Sequence, residues 1–265
     1  MDLFFLVSRF LNPILLSPHL YQLELLTSWT LCASRSLLVP PQLVRARQFL
    51  CKHEYLFTLL EISDNGSFTS SSTVVDYLCT TFRSETECTA YIYCSHQDHK
   101  AQTPVNLVAS ILRQIILSSH RIPDSLNNLY RLHNSRSTRP SLEEVSSILG
   151  AEVEHFDRVF VVLDALDECA ESNGCRDLVL SELAKLKRVN IMVTSRSHVG
   201  IGDFIDSFVR LDIRADDEDL CKYVDGCIDR NPRLIKHIKE HTGLREDIRS
   251  TIVRRARGMF VVSVS

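Results

Sequence analysis

The chain has 265 residues, 45% of them hydrophobic and 24% charged, with a formal net charge of −3. Those are the proportions of an ordinary globular protein, long enough for one large or two small domains. The charge argues against broad electrostatic capture of nucleic acid or an anionic membrane, and nine scattered cysteines without a C-x-x-C pair suit reduced thiols in the cytosol or nucleus rather than a disulfide framework.

The first 54 residues read as an ill-defined extension. Leu3-Phe4-Phe5-Leu6-Val7 is apolar, but Arg9, Pro13, Pro18 and His19 interrupt it well short of a membrane span. No cation precedes the apolar run, so a signal peptide is not expected. Leu37 to Pro41 looks like a turn or linker, and Glu54 to Ile62 is the first candidate strand. Asp64-Asn65-Gly66-Ser67 is a turn signal, and Ser70-Ser71-Ser72 offers capping hydroxyls to a helix over Thr73–Phe82. Its apolar face would hold Val74, Val75, Leu78 and Phe82.

Thr89 to Cys94 alternates and is β-rich, which predicts a second strand followed by the polar loop Ser95 to His99. Cys88, Cys94, His96 and His99 invite a zinc reading, but their spacing fits no standard pattern. Thr103-Pro104 suits the cap and first position of a helix. Leu107, Val108, Ile111, Leu112, Ile115 and Ile116 give that helix one broad core stripe. Ser141 and Glu144 form a Ser-x-x-Glu capping box for the next helix, with Gly150 as its C-terminal stop.

Val159-Phe160-Val161-Val162-Leu163 then runs straight into Asp164, with Asp167 and Glu168 on the following turn. An unbroken apolar run of this kind suits a strand covered on both faces in a parallel sheet. Such sheets bind ligands beyond their carboxyl ends. Asp164 therefore falls where a metal–phosphate group would sit, holding Mg²⁺ through its water shell, and Asp167 or Glu168 would polarise the attacking water. The alternative is a buried strand whose exit happens to be acidic.

Downstream, Cys175 to Leu186 predicts a helix with Leu178, Val179, Leu183 and Leu186 inward. Ile191 to Thr194 is a strand ending in Ser195-Arg196, where the arginine would either meet a triphosphate or pair with Asp164 or Asp167. Phe208 to Ile213 is a last strand, and Asp216 to Asp219 load a helix N-terminus with negative charge. Leu220, Tyr223, Val224, Cys227 and Ile228 would form that helix's core face. A final helix, Asp247 to Arg257, would turn Ile248, Ile252, Val253 and Ala256 inward and present Arg249, Arg254, Arg255 and Arg257 to solvent.

Taken together, Val159–Cys169, Asn190–Arg196 and Ala215–Leu220 with Tyr223-Val224 resemble, in order and spacing, the NACHT class of signal-transducing P-loop NTPases of the STAND group. Within that class the chain is most similar to the nephrocystin-type N-terminal module of fungal proteins that carry ankyrin or WD repeats. The resemblance covers roughly residues 72–260. It implies a nucleotide-driven switch using Mg²⁺ with ATP or GTP, partnered by other proteins or by copies of itself, and a cytoplasmic location. It assigns Asp164 to the Walker B metal ligand, Asp167 and Glu168 to the catalytic carboxylates, and Arg196 to the γ-phosphate sensor. It also places Gly66 on the second P-loop glycine, Ser67 where the phosphate lysine belongs, and Phe68 where the Mg²⁺-binding hydroxyl belongs.

At that last point the sequence departs from the family. The chain has only 8 glycines, and none is followed by lysine, so G-x-x-x-x-G-K-[ST] is absent, as is any G-x-G-x-x-G. Residues 53–82 contain no Lys or Arg at all. The expectation is an α/β protein: a three-layer, doubly wound, mainly parallel sheet over residues 55–214, with a small helical appendage from 215 to 265 that begins a truncated lid. Its function would be that of a hydrolysis-deficient NTPase module. The rivals are a non-enzymatic interaction scaffold, and a metal-dependent hydrolase that adds His96 or His99 to the carboxylates. Neither nucleic acid nor membrane is expected as a partner.

Overall fold

A computed structural model describes residues 57–62, 67–98, 100–169, 174–196, 208–213 and 217–256. The N-terminal extension, Gly66, His99, the loop after Cys169, Asp216 and Arg257 lie outside the described residues, as do the side chains of Ser67, Phe68 and Ala256.

Strands β1 (Phe57–Ile62), β2 (Glu87–Tyr93), β3 (Arg158–Asp164), β4 (Val189–Ser195) and β5 (Val209–Ile213) form one sheet in the order β2-β3-β4-β1-β5. Every pairing is parallel. The helices are α1 (Ser67–Thr81), α2 (Pro104–Ser119), α3 (Asp124–Arg136), α4 (Leu142–Val153), α5 (Cys175–Ala184), α6 (Asp217–Asp229), α7 (Pro232–Glu240) and α8 (Leu244–Ala256).

The apolar run of β3 is what the sheet is built around. From Val159 to Asp164 every residue is buried, and so is every residue of β4. Because side chains alternate along a strand, the run feeds two cores. Phe160 and Val162 join Met192 and the Val74, Val75 and Leu78 stripe of α1 on one face. Val159, Val161, Leu163, Ile191 and Val193 pack under α2, α4 and α5 on the other. Three layers result, as a parallel sheet requires.

Strand β2 lies at one edge and is buried only at alternate residues. The Gln114 side chain of α2 accepts from the Tyr91 backbone N–H (3.0 Å) and donates to the Tyr91 carbonyl (2.9 Å). That amide occupies backbone groups through which an edge strand would otherwise recruit another chain. The cap signals hold as read: Thr103 accepts from the Asn106 N–H, and Ser141 and Glu144 form a reciprocal capping box.

Four local expectations need correction. Helix α1 begins at Ser67, so the three serines lie inside it; Ser71 is buried, and packing on the sheet outweighs the serines' preference for capping. Gly150 lies within α4, which continues to Val153 because Glu152 and Val153 are themselves buried. Leu178 is exposed on α5, whose core face is Val179, Leu180 and Leu183. Tyr223 is exposed on α6, where Leu220, Val224 and Ile228 already supply a stripe at a spacing of four. Helices α3 and α7 are additions. Proline and polar residues opening each segment, and short apolar stripes such as Leu126 and Leu129, were their only signals.

Helices α6, α7 and α8 pack on one another. Asp225 of α6 takes both Arg245 and Arg249 of α8, and Asp229 pairs with Arg245. Arg249, expected on a solvated face, is thus only partly exposed and bridges two helices. Among the described residues, no helix is long and apolar enough to cross a membrane.

Candidate functional site

Parallel register brings the strand exits to one end of the sheet. Tyr93 lies opposite Asp164, Leu163 opposite Val193, and Glu61 opposite Ser195. Asp164 therefore falls beside Thr194, and Arg196 follows two residues later. The chain leaves β3 through Ala165, which has a left-handed backbone (φ 53°, ψ 49°), and enters a single 3-10 turn, Leu166–Glu168. Leu166 is buried and pins the turn, which sets the directions of the acids on either side of it.

Asp164 is only 2% exposed. The Thr194 hydroxyl donates to its Oδ1 at 2.5 Å and accepts from the Ala165 N–H at 2.8 Å. Asp167 is held from the other side: Arg196 Nε approaches its Oδ2 at 3.1 Å, and the Arg196 backbone N–H donates to its Oδ1 at 3.3 Å. The carboxylate is 8% exposed and the guanidinium side chain 45%, so the pair sits at the rim with its acid inward. Glu168 accepts from the His96 backbone N–H at 3.2 Å, with His96 Nδ1 at 3.3 Å. Tyr93 lines the same end, and burial followed by the Asp164 charge pushes its phenol well above the usual range.

Of the sequence-predicted site, Asp164, Asp167, Glu168 and Arg196 come together, and Arg196 forms an ion pair with Asp167. Ser67 starts α1, the helix that follows β1 in the middle of the sheet; its backbone alone is described, and Gly66 lies outside the described residues. His96 meets Glu168. Among the described residues no three His, Cys, Asp or Glu groups are arranged to hold a metal, and His99 lies outside those residues. Sequence reasoning missed Thr194 and the buried cysteines Cys94, Cys169 and Cys175 behind the acidic turn. A hydroxyl two residues before Arg196, and a cysteine directly after Glu168, were the available signals.

Mg²⁺ is usually held by one or two carboxylates together with the phosphates themselves. Here Asp164 receives a hydroxyl, Asp167 an arginine and Glu168 a histidine, while residues 53–82 offer no cation to balance a β- or γ-phosphate. The residues present supply the carboxylate half of such a site and lack its anion grip, so they do not fit a bound Mg²⁺–triphosphate.

A parallel β2-β3-β4-β1-β5 sheet, covered on both faces, with acids at the exit of β3 and an arginine at the exit of β4, defines a P-loop NTPase-like domain. The chain belongs to the family "Nephrocystin 3, N-terminal", whose model matches residues 64–196. No curated protein matches the sequence.

Among solved structures, the chain is similar to the Aeropyrum pernix ORC1 protein in complex with DNA (15% identity, TM-score 0.47, covering 82% of this chain and 59% of that one). It is also similar to Drosophila ORC bound to poly(dA/dT) DNA and Cdc6 (13%, 0.44, covering 94% and 41%) and to Cdc6p from Pyrobaculum aerophilum (13%, 0.39, covering 71% and 50%). The chain spans three-fifths or less of each. The expectation that nucleic acid is excluded as a partner does not stand, since two of these structures hold DNA. The physical weakness of that expectation was its use of net charge. A sum over the chain is silent about local groupings such as exposed Arg233, Lys236 and Lys239 on α7.

Proposed function

We propose that this chain is a NACHT-like switch module whose catalytic half persists while its phosphate cradle has been lost, leaving a hydrolysis-deficient domain that works through protein contacts. The core would span residues 55–214 and the lid would begin near 215. In this reading Asp164, Asp167, Glu168 and Arg196 descend from the Walker B and sensor positions, and Gly66 and Ser67 from the cradle. The observation that carries the reading is the Arg196–Asp167 ion pair. The family's sensor position is held here by an arginine whose charge is met by the neighbouring acid.

Phosphoryl transfer depends almost wholly on positioning and charge stabilisation. With Ser67 and Phe68 at the lysine and hydroxyl positions, hydrolysis should be absent or very slow. The test is the melting temperature of the full chain in millimolar MgATP or MgGTP. No change is expected. A ligand that binds only the folded state at a hundred times its Kd adds about 2.7 kcal/mol, so a clear upward shift would overturn the reading.

A second reading, a scaffold that never engages nucleotide, is favoured by the burial of Asp164 and its internal hydrogen bond to Thr194. Magnesium titration followed by protein NMR separates the two. Shifts confined to the β3 and β4 exits favour a relict metal site, and their absence favours the scaffold.

A further inference from the structure

Behind the acidic turn lie three buried cysteines from two distant parts of the chain. Cys94 follows the last residue of β2, Cys169 follows Glu168, and Cys175 opens α5. All three are free thiols. Cys94 Sγ and Cys169 Sγ are 3.4 Å apart. Cys175 lies within hydrogen-bonding reach of Cys169 and donates its own S–H to the Gln102 carbonyl at 3.2 Å. The backbone around Cys94 is fixed, because its N–H donates to the Asp164 carbonyl at 2.9 Å, while Gln102 accepts from the Ser95 N–H at 3.1 Å. Two sulfurs in contact on well-held backbone need an approach of only about 1.4 Å to reach the ~2.05 Å of a disulfide.

We propose that Cys94 and Cys169 form a peroxide-oxidisable dithiol site whose disulfide staples the acidic turn to the end of β2. Cys94, 7% exposed against 2% for Cys169, is the sulfur that small oxidants reach first. Its thiolate attacks one peroxide oxygen, the O–O bond breaks, and hydroxide leaves to become water, giving a sulfenic acid. The Cys169 sulfur then attacks the Cys94 sulfur, the S–O bond breaks, and a second water departs. Two thiols and one hydrogen peroxide give one disulfide and two waters, and the two electrons lost by sulfur are taken by peroxide. Burial keeps bulky disulfides away from this pair, so hydrogen peroxide is the fitting co-reactant and glutathione disulfide is not. In a reducing compartment the bond would be transient.

The test uses the full chain, treated with hydrogen peroxide, unfolded in N-ethylmaleimide, digested without reductant and read by mass spectrometry. A Cys94–Cys169 peptide pair is expected, with a fall of two from the nine thiols of the sequence. The oxidised protein should also melt higher by roughly 5 °C, because the bond closes a long loop. Cys94→Ser and Cys169→Ser should each abolish the pair, and Cys175→Ser should keep it. Mapping on the unmodified chain stands even where a variant fails to fold. Sulfinic acid at Cys94 without a cross-link, a Cys169–Cys175 bond instead, or nine intact thiols at peroxide levels that oxidise the unfolded chain would each overturn the proposal.

Discussion

Thr194 serves two neighbours with one hydroxyl: it donates to Asp164 Oδ1 at 2.5 Å and accepts from the Ala165 N–H at 2.8 Å. Strand β4 thereby holds both the last residue of β3 and the left-handed residue that begins the acidic turn. The hydroxyl sits in full burial, where an unmet polar partner costs about 1–3 kcal/mol. Thr194→Val keeps the shape and removes this hydrogen bond from both partners. It should lower stability by about 2–4 kcal/mol, while Thr194→Ser should recover most of the loss. Urea unfolding of the two variants checks this.

The Arg196–Asp167 pair is nearly half open to solvent on its arginine side. Exposed pairs are worth about 0–1 kcal/mol. A double-mutant cycle with Arg196→Gln and Asp167→Asn should return a coupling in that range and shrink further in high salt. A coupling above about 2 kcal/mol would mean that the pair is a structural anchor instead of a relict site.

Gly150 lies inside α4 with ordinary helical backbone, and an added Cβ would meet only Leu186 Cδ2 at 3.9 Å. Glycine in a helix interior costs about 0.5–1 kcal/mol relative to alanine. Gly150→Ala should therefore raise the melting temperature by about 2–4 °C. A calorimetric scan showing a fall would place a clash where the structure shows space.

Hydrogen bonding from Arg249, with the nearby Arg245 charge adding to it, holds the Asp225 carboxyl below its ordinary value of 3.8. A group whose folded pKa is depressed contributes stability above its unfolded value and loses it as pH falls through the folded one. The α6–α8 helices should thus lose stability below about pH 4, and Asp225→Asn should remove that part of the acid limb. Circular dichroism melts of both proteins from pH 5 to pH 2 make the comparison.

Much of this was legible locally. The apolar run from Val159 to Leu163 dictated a doubly covered strand, because only burial on both faces accounts for it. Thr103 and Ser141 announced helix starts, since a cap bonds to amides two or three residues away. The absence of Lys and Arg between residues 53 and 82 is a fact of composition. What only the tertiary structure decided is which groups meet. Asp164 finds Thr194 across 30 residues, Glu168 finds His96 across 72, and Cys94 finds Cys169 across 75. Strand order and register set those meetings, and the periodicity that marks a strand carries no record of its neighbour. Leu178 and Tyr223 are exposed for a related reason: a helix can be apolar on more sides than its neighbours cover.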